Sequence, residues 1–172
     1  CLMLAEQICE TFNRCFVQSH TKLVGGASEP LYEPGKQEAR VYFREDYASS
    51  ALHEIAHWCI AGADRRQQPD YGYWYRDTRD VKQQRTFETV EVKPQALEWI
   101  FSVAAGIDFR VSCDNFDENT LDMSGFSAEV HAAVIAWLDG LPPRAERFIH
   151  ALVVQTGNQQ ALISDTYREP PK

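Results

Sequence analysis

Long apolar runs and clusters of positive charge are missing from this 172-residue sequence. No run approaches the roughly 20 apolar residues of a membrane-spanning helix. No charged-then-apolar leader segment is visible either, so we expect a soluble protein of the cytoplasm, with no membrane partner. The net charge is -8 and no stripe of lysine and arginine occurs. Because nucleic-acid binding depends on positive side chains that displace counterions from phosphates, we expect no direct nucleic-acid partner.

Cysteine is scarce and shows no paired spacing. The five cysteines include no C-x-x-C pair, which argues against a structural zinc finger and against a dithiol redox motif. An odd number of cysteines without regular spacing fits a reducing compartment. The length and the 44% hydrophobic content are typical of one globular domain, so we predict a single domain over residues 1–172.

The most informative feature that is present is the H-E-x-x-H sequence from His53 to His57. At helical spacing the two histidines lie one turn apart on the same face, where both imidazoles can bind one divalent ion with Glu54 beside it. The flanking residues are mostly apolar, which predicts a buried helix. Two core histidines bonded to backbone carbonyls are the alternative interpretation, but this spacing favours a metal site.

The surrounding patterns predict an α+β fold that is mostly helical, with a small β-sheet beside the histidine helix. Residues 40–44 are β-branched and aromatic, which predicts a strand just before that helix. Glycines and prolines between residues 25 and 35 predict turns, with only residues 31–32 extended. Two later helices are predicted over residues 86–105 and 127–139, and a third is predicted to begin at Pro143. In the first of these, Pro94 predicts either a kink or a helix start at Lys93.

A catalytic metal site needs a third ligand, and the predicted helix over residues 86–105 carries a stripe of acids. Glu88, Glu91 and Glu98 share one face at spacings of three to four residues or their multiples. Glu91 is the first candidate, Glu88 the second and Glu98 the third, and an acid that does not bind the metal can orient a histidine N–H group. A solvated helix face is the alternative interpretation. Two histidines and a carboxylate occur in hydrolytic zinc enzymes and in non-haem iron(II) oxygenases, so the ligand set leaves the metal open.

Glu54 separates two kinds of chemistry. In a hydrolase it would be the general base for metal-bound water, whereas in an oxygenase it can only orient ligands or relay a proton. Taken alone, Glu54 favours a zinc-dependent metallopeptidase. An interaction module with a closed, structural metal site is a third possibility.

Four sequence motifs occur in the chain one after another. The first spans residues 47–62 around the histidine pair, and the second is Asp-Tyr-Gly-Tyr-Trp-Tyr at 70–75. The third is Val-Glu-Val-Lys-Pro-Gln-Ala-Leu at 90–97, and the fourth is Val-Ser-Cys-Asp-Asn at 111–115. They resemble the bacterial elongation factor P hydroxylase family, and the resemblance covers most of the chain between residues 30 and 148. The family implies an iron(II)-dependent monooxygenase that uses dioxygen to hydroxylate the β-lysylated lysine of elongation factor P. It also implies a zincin-like fold, resembling zinc metalloproteases, and no requirement for 2-oxoglutarate.

The resemblance also implies roles for individual residues. His53 and His57 match the family's histidine pair, and Glu91 matches its carboxylate ligand. The implied metal is Fe(II), although a purified sample can hold another divalent ion such as zinc.

The substrate side chain implied by the family is long and cationic, which suggests how an acidic protein would bind it. Glu88 and Asp114 can receive its ammonium groups. Tyr73 and Tyr75 can hold its methylene groups or make cation–π contacts. These four residues are the predicted substrate contacts.

Overall fold

The computed structural model describes residues 2–73, 81–112 and 123–172, without side-chain detail for residues 81–84. Five α-helices and three β-strands account for most of this described part, and short 3-10 turns connect several of them. In chain order the elements are α1 (Ala5–Cys15), β1 (Thr21–Ala27), β2 (Leu31–Glu33), β3 (Ala39–Arg44), α2 (Ala48–Ile60), α3 (Val81–Ala105), α4 (Ser124–Asp139) and α5 (Pro143–Thr156). The predicted α+β class, mostly helical with a small sheet, is confirmed.

The three strands form one sheet with the order β1-β3-β2. The central strand β3 pairs in parallel with β1 and antiparallel with β2. Leu23 on β1 and Val41 and Phe43 on β3 are buried on the core face of the sheet. They alternate along their strands with more exposed residues, as the period of two in a half-buried strand requires. The strand predicted at residues 40–44 is therefore confirmed, and it lies immediately before α2.

The glycine pair at residues 25–26 lies inside β1, so the predicted turn there was wrong, whereas the extended piece predicted at residues 31–32 is confirmed as part of β2. The β1–β3 register shifts between Val24 and Ala27, which places the glycines at a bulge. A Cβ on Gly25 would lie 2.6 Å from the ring of Phe43. The absence of a side chain at Gly25 therefore lets β1 lie close to the Phe43 ring. This requirement exists only once β1 has paired with β3.

Helix α2 is buried from several sides at once. Leu52, Ile55 and Ala56 have no exposed surface, and the helix packs against α3 and β3. In the C-terminal half of α2, the Trp58 ring packs against Phe12 and Phe16 at centroid distances of 5.1 and 4.8 Å. The predicted buried histidine helix is thus present, and the aromatic packing holds its position.

Helix α3 runs without a break from Val81 to Ala105 and contains Pro94 in its interior. The predicted start at residue 86 was wrong, and so was the alternative start at Lys93. Pro94 cannot donate a backbone hydrogen bond, while the neighbouring Lys93 carbonyl accepts one from the Trp137 indole at 3.1 Å. Burial of the whole apolar face after Pro94 outweighs the cost of the proline, because that face forms part of the core.

The last two helices pack on α3. Helix α4 begins at Ser124, three residues before the predicted start at Ser127, whose hydroxyl instead donates to the Pro171 carbonyl. Helix α5 begins at Pro143 as predicted, and it ends at Gly157 in the left-handed conformation. Among the described residues, none of these helices is both long and apolar enough to span a membrane.

Candidate metal centre

Helices α2 and α3 bring three ligand-type side chains to one point. His53 and His57 lie one turn apart on α2, and their Nε2 atoms are 3.1 Å apart. Glu91 on α3 places Oε2 3.3 Å from His53 Nε2 and Oε1 3.0 Å from His57 Nε2. The three ligand atoms all lie within 4.8 Å of one another, and Glu91 is buried. The first-ranked carboxylate thus meets both predicted histidines.

The spacing of these atoms fits a single bound ion. Ligands held about 2.1 Å from one metal lie about 3.0–3.4 Å apart when their angles at the metal are between roughly 90° and 109°. The 3.1 Å between the two Nε2 atoms agrees with that range, and each of these atoms lies 3.0 or 3.3 Å from one of the two Glu91 oxygens. Two imidazoles and one carboxylate leave further coordination positions for water, dioxygen or a substrate atom. This group can therefore hold a metal in an open, reactive form, although the donor set alone does not select zinc or iron.

Glu98 occupies a different position from Glu91. Its Oε2 atom lies 2.8 Å from Nδ1 of His53, on the opposite side of the imidazole ring from Glu91. A proton on Nδ1 donated to Glu98 leaves the Nε2 lone pair of His53 directed at the metal position. The two buried acids of the predicted stripe thus have different positions, since Glu91 faces the metal position and Glu98 orients the His53 imidazole.

The electrostatics of the triad favour positive charge. Burial lowers the pKa of His53, but the carboxylates of Glu91 and Glu98 outweigh it and hold that pKa well above the usual value. Burial raises the pKa of Glu91, and the two imidazoles outweigh it to hold that pKa well below the usual range. Without a metal, this surrounding favours a protonated His53, so a divalent ion must displace a proton when it binds.

Glu54 lies beside the triad with a perturbed carboxyl group. Burial raises the pKa of Glu54, the His53 and His57 imidazoles offset part of that rise, and Glu91 and Asp70 add to it. The residue lines the same cavity as the three ligand-type residues. A carboxyl group with a raised pKa in a reactive cavity is suited to accept and return a proton.

A cavity of about 330 Å³ opens onto the triad. It is lined by acids, histidines and aromatic rings, and no lysine or arginine is among its described lining residues. The lining comprises Pro30, His53, Glu54, His57, Asp70, Tyr71, Tyr73, Phe87, Glu91, Gln95 and Ser112. An acidic, partly aromatic cavity of this kind suits a long side chain that carries a positive charge.

The four predicted substrate contacts differ in where they lie. Tyr73 lines the cavity, and the guanidinium of Arg65 lies 4.2 Å from its ring centroid. Glu88 lies on α3, half-buried, and is not among the described lining residues. Tyr75 and Asp114 lie outside the described residues.

Tyr71 is a cavity residue that is not among the four predicted substrate contacts. Its ring stacks on Tyr32 at 4.3 Å and lies parallel to His57 at 6.4 Å. Its hydroxyl is buried and has no hydrogen-bond partner among the described residues. Burial raises the pKa of Tyr71 well above the usual value, and the charge of Glu54 adds to the rise. Buried polar groups usually have a hydrogen-bond partner, so an unpartnered phenol close to the Glu54 carboxyl marks Tyr71 as a candidate functional residue.

The backbone at Tyr71 explains why the sequence pattern was ambiguous. An aromatic run such as residues 71–75 is compatible with either a strand or a pocket wall, but Tyr71 has a φ of 59° and Asp70 one of 47°. The Asp70 carboxylate accepts a hydrogen bond from the Tyr32 backbone N–H at 2.9 Å, which holds this turn against β2. Left-handed non-glycine residues mark a position where tertiary contacts outweigh local preference. In the sequence, the order Asp-Tyr-Gly at residues 70–72 was the signal that could have indicated this turn.

Gln95 supports the opposite wall of the cavity. Its side-chain amide donates to the Ser112 carbonyl at 2.5 Å and accepts from the Ser112 N–H at 3.0 Å. This pair of bonds fixes the chain after α3 beside the metal position. The polar stripe on α3 therefore includes a structural member as well as Glu91 and Glu98.

Comparison with known proteins agrees with this arrangement. The family model described as "Elongation factor P hydroxylase" matches residues 11–166, a span that contains the whole triad. A protein of Haemophilus influenzae named "Elongation factor P lysine hydroxylase" is 47% identical over 154 residues, which cover 86% of this chain and 86% of that protein. The resemblance found in the four motifs is thereby confirmed. This chain belongs to the elongation factor P hydroxylase family.

Proposed function

We propose that this protein is an iron(II)-dependent monooxygenase that hydroxylates the β-lysylated lysine of elongation factor P, using dioxygen. The observation that carries the proposal is the Glu91 carboxylate, whose two oxygens lie 3.0 and 3.3 Å from the Nε2 atoms of His57 and His53. Membership of the family supports elongation factor P as the substrate, because the relative from Haemophilus influenzae is named as a lysine hydroxylase of that factor. Two nitrogens and one carboxylate oxygen with open positions are the ligand set of non-haem iron oxygenases.

The proposed roles of the side chains follow from their positions. His53, His57 and Glu91 would hold the ion, and Glu98 would keep His53 in the tautomer that presents Nε2. Bound Fe(II) would supply the one-electron chemistry that activates dioxygen, which no protein side chain provides by itself. A monooxygenase inserts one oxygen atom into a C–H bond and reduces the other to water, so two electrons must also come from a reductant.

Glu54 is proposed to move a proton rather than to attack a bond. Its raised pKa allows the carboxyl to hold a proton in the cavity and to release it nearby. Glu54 also lines the cavity with Asp70, whose negative charge adds to the rise of the Glu54 pKa. In this proposal the H-E-x-x-H glutamate keeps the position it has in a peptidase but serves proton transfer during oxidation.

The cavity supports a cationic substrate side chain. Glu54, Asp70 and Glu91 supply negative charge, while Tyr71, Tyr73 and Phe87 supply flat apolar surface for methylene groups. The predicted contacts Glu88, Tyr75 and Asp114 stay proposals. Exclusion of lysine and arginine from the described lining favours ammonium groups over anions.

The decisive experiment is a turnover assay on lysylated elongation factor P. Protein loaded with Fe(II) is incubated in air with a chemical reductant, and the modified peptide is examined by mass spectrometry for one added oxygen. Labelled dioxygen identifies the source of that atom. The expected product carries one labelled oxygen on the modified lysine.

Two glutamate variants provide a matched comparison. Glu91→Gln should abolish the added oxygen, while Glu129→Gln, the same change at an exposed acid on α4, should retain most activity. A zinc-dependent metallopeptidase would instead cleave peptide bonds, lose that cleavage in Glu54→Gln, and add no oxygen. Cleavage without oxygen addition would overturn the proposal.

A further inference from the structure

A second cavity, of about 410 Å³, lies at the C-terminal end of α2 and shares no described lining residue with the metal cavity. Its walls come from the turn after α1, the β2–β3 connection, the segment after α2 and the start of α5. The side chains with positive or titratable groups in this wall are Lys36, Arg66, Arg144, His20 and Tyr32. No aspartate or glutamate occurs among its described lining residues, although the chain as a whole carries a net charge of -8.

Both arginines are anchored by the end of α2. Arg66 donates to the Ala61 carbonyl, and Arg144 donates to the Trp58 carbonyl at 3.1 Å and to the Ala61 carbonyl at 3.4 Å. The Arg144 guanidinium also lies 4.6 Å from the Trp58 ring centroid. Each guanidinium has five N–H donors, so these bonds fix the groups in place and leave donors available for a ligand.

The helix end does not neutralise this charge. The C-terminus of a helix corresponds to roughly half a negative charge. Lys36, Arg66 and Arg144 carry three formal positive charges, so an excess of about two and a half remains by this estimate. None of the three forms an ion pair with a carboxylate among the described residues. A half-enclosed excess of this size attracts anions.

Trp58 also lies in this wall, and its indole provides a readout for the cavity. The indole N–H is buried without a hydrogen-bond partner among the described residues, and Trp58 itself is 1% exposed, so a ligand would not bond this nitrogen directly. Because the Arg144 guanidinium packs on the Trp58 ring, a change at that arginine should still shift the indole N–H signal.

We propose that this cavity binds a small molecule through an oxyanion group, either a phosphate or a carboxylate. The planar arginine forks match the oxygen geometry of both groups, and the exposed Lys36 adds a charge at the opening. The volume is that of a small-ligand site rather than of a surface contact with a protein. This proposal stands apart from the proposed hydroxylase function, because it uses none of the residues of the metal cavity.

The test is a titration of the full-length protein with inorganic phosphate and, separately, with citrate, followed by the indole N–H signals in nitrogen–proton NMR spectra. The Trp58→Phe variant identifies the Trp58 signal. A saturable shift of this signal, with the Trp99 and Trp137 signals unmoved, is the expected result. The anion that saturates at the lower concentration shows whether phosphate or carboxylate is preferred. Sodium chloride at equal ionic strength should produce no saturable shift, and identical curves for all three salts would overturn the proposal.

Variants then tie the binding to the cavity. Lys36→Gln changes an exposed side chain, and Arg66→Lys keeps a charge while it removes the planar fork. Each should weaken binding about tenfold, which equals about 1.4 kcal/mol. Lys22→Gln is the matched control, because Lys22 pairs with Glu38 outside the cavity and its loss should leave the affinity unchanged. Wild-type affinity in both cavity variants, or equal weakening in the control, would contradict the site.

Discussion

The Glu98 carboxylate lies 2.8 Å from Nδ1 of His53, while Glu91 approaches Nε2 of the same ring at 3.3 Å. The imidazole is thus held between two buried acids from one helix, two turns apart. Only one of its nitrogens can face an ion, and the other is fixed by a hydrogen bond. Orientation of a ligand in this way raises its basicity and lowers the cost of arranging it when the metal binds.

Replacement of Glu98 by Gln should weaken metal binding without removing a ligand. The loss of the charged partner of His53 Nδ1 is expected to lower metal affinity by about 10–100-fold. A competition titration with a coloured chelator measures the change, and Glu88→Gln on the same helix should leave the affinity within about twofold. Equal affinity in Glu98→Gln and the wild type would show that this contact does not orient the histidine.

Replacement of His57 by Ala should abolish both metal binding and oxygen addition. Two remaining ligands cannot hold Fe(II) against solvent at micromolar concentration, because affinity depends on the number of ligands. Circular dichroism should show a native helix content, since His57 is only partly buried. A folded variant with full iron content, measured by elemental analysis, would remove His57 from the ligand set.

The stability of the metal-free protein should decrease both at acidic pH and above neutral pH. The depressed pKa of Glu91 contributes stability that is present above the ordinary value of 4.5 and is lost as the pH falls through the folded pKa. The raised pKa of His53 contributes stability that is full below 6.5 and is lost as the pH rises through the folded pKa. Urea unfolding midpoints measured with a chelator should therefore decline toward acid and again above neutral pH.

Metal affinity should follow the opposite trend on the alkaline side. Binding requires the neutral imidazole of His53, so affinity should rise with pH until His53 has lost its proton in the metal-free protein. In Glu98→Gln one of the acids that raise this pKa is gone, and the rise should occur at lower pH. Titrations at a series of pH values test both statements, and a flat profile in the wild type would contradict them.

Replacement of Tyr71 by Phe should separate stability from turnover. The Tyr71 hydroxyl is buried without a described partner, so its removal should leave the free energy of unfolding unchanged or raise it by up to about 1 kcal/mol. Turnover should fall if the phenol contacts the substrate beside Glu54. Tyr32→Phe is the matched control: its hydroxyl donates to the Arg66 carbonyl at 2.7 Å, and its loss should cost about 1 kcal/mol. Full turnover in Tyr71→Phe would show that the phenol has no part in the reaction.

The predicted and observed elements differ most where pairing partners are distant in the chain. Residues 40–44 were predicted as a strand because their residue types favour one, and β3 is there. The strand at Thr21–Ala27 was missed because its glycines favour turns, and only the parallel partner β3 makes the extended form preferable. Pro94 suggested a helix boundary, but the buried face of α3 carries the helix through it.

The sequence by itself determined the histidine pair, because a separation of four residues on a helix places both rings on one face whatever surrounds them. It also determined the family, through four motifs in order. Only the tertiary structure decided which acid of α3 meets the two histidines and which supports His53, since this depends on the packing of α3 against α2. The position of Tyr71 in the metal cavity and the charged cavity at the end of α2 likewise arise from segments far apart in the chain, whose contacts no local pattern predicts.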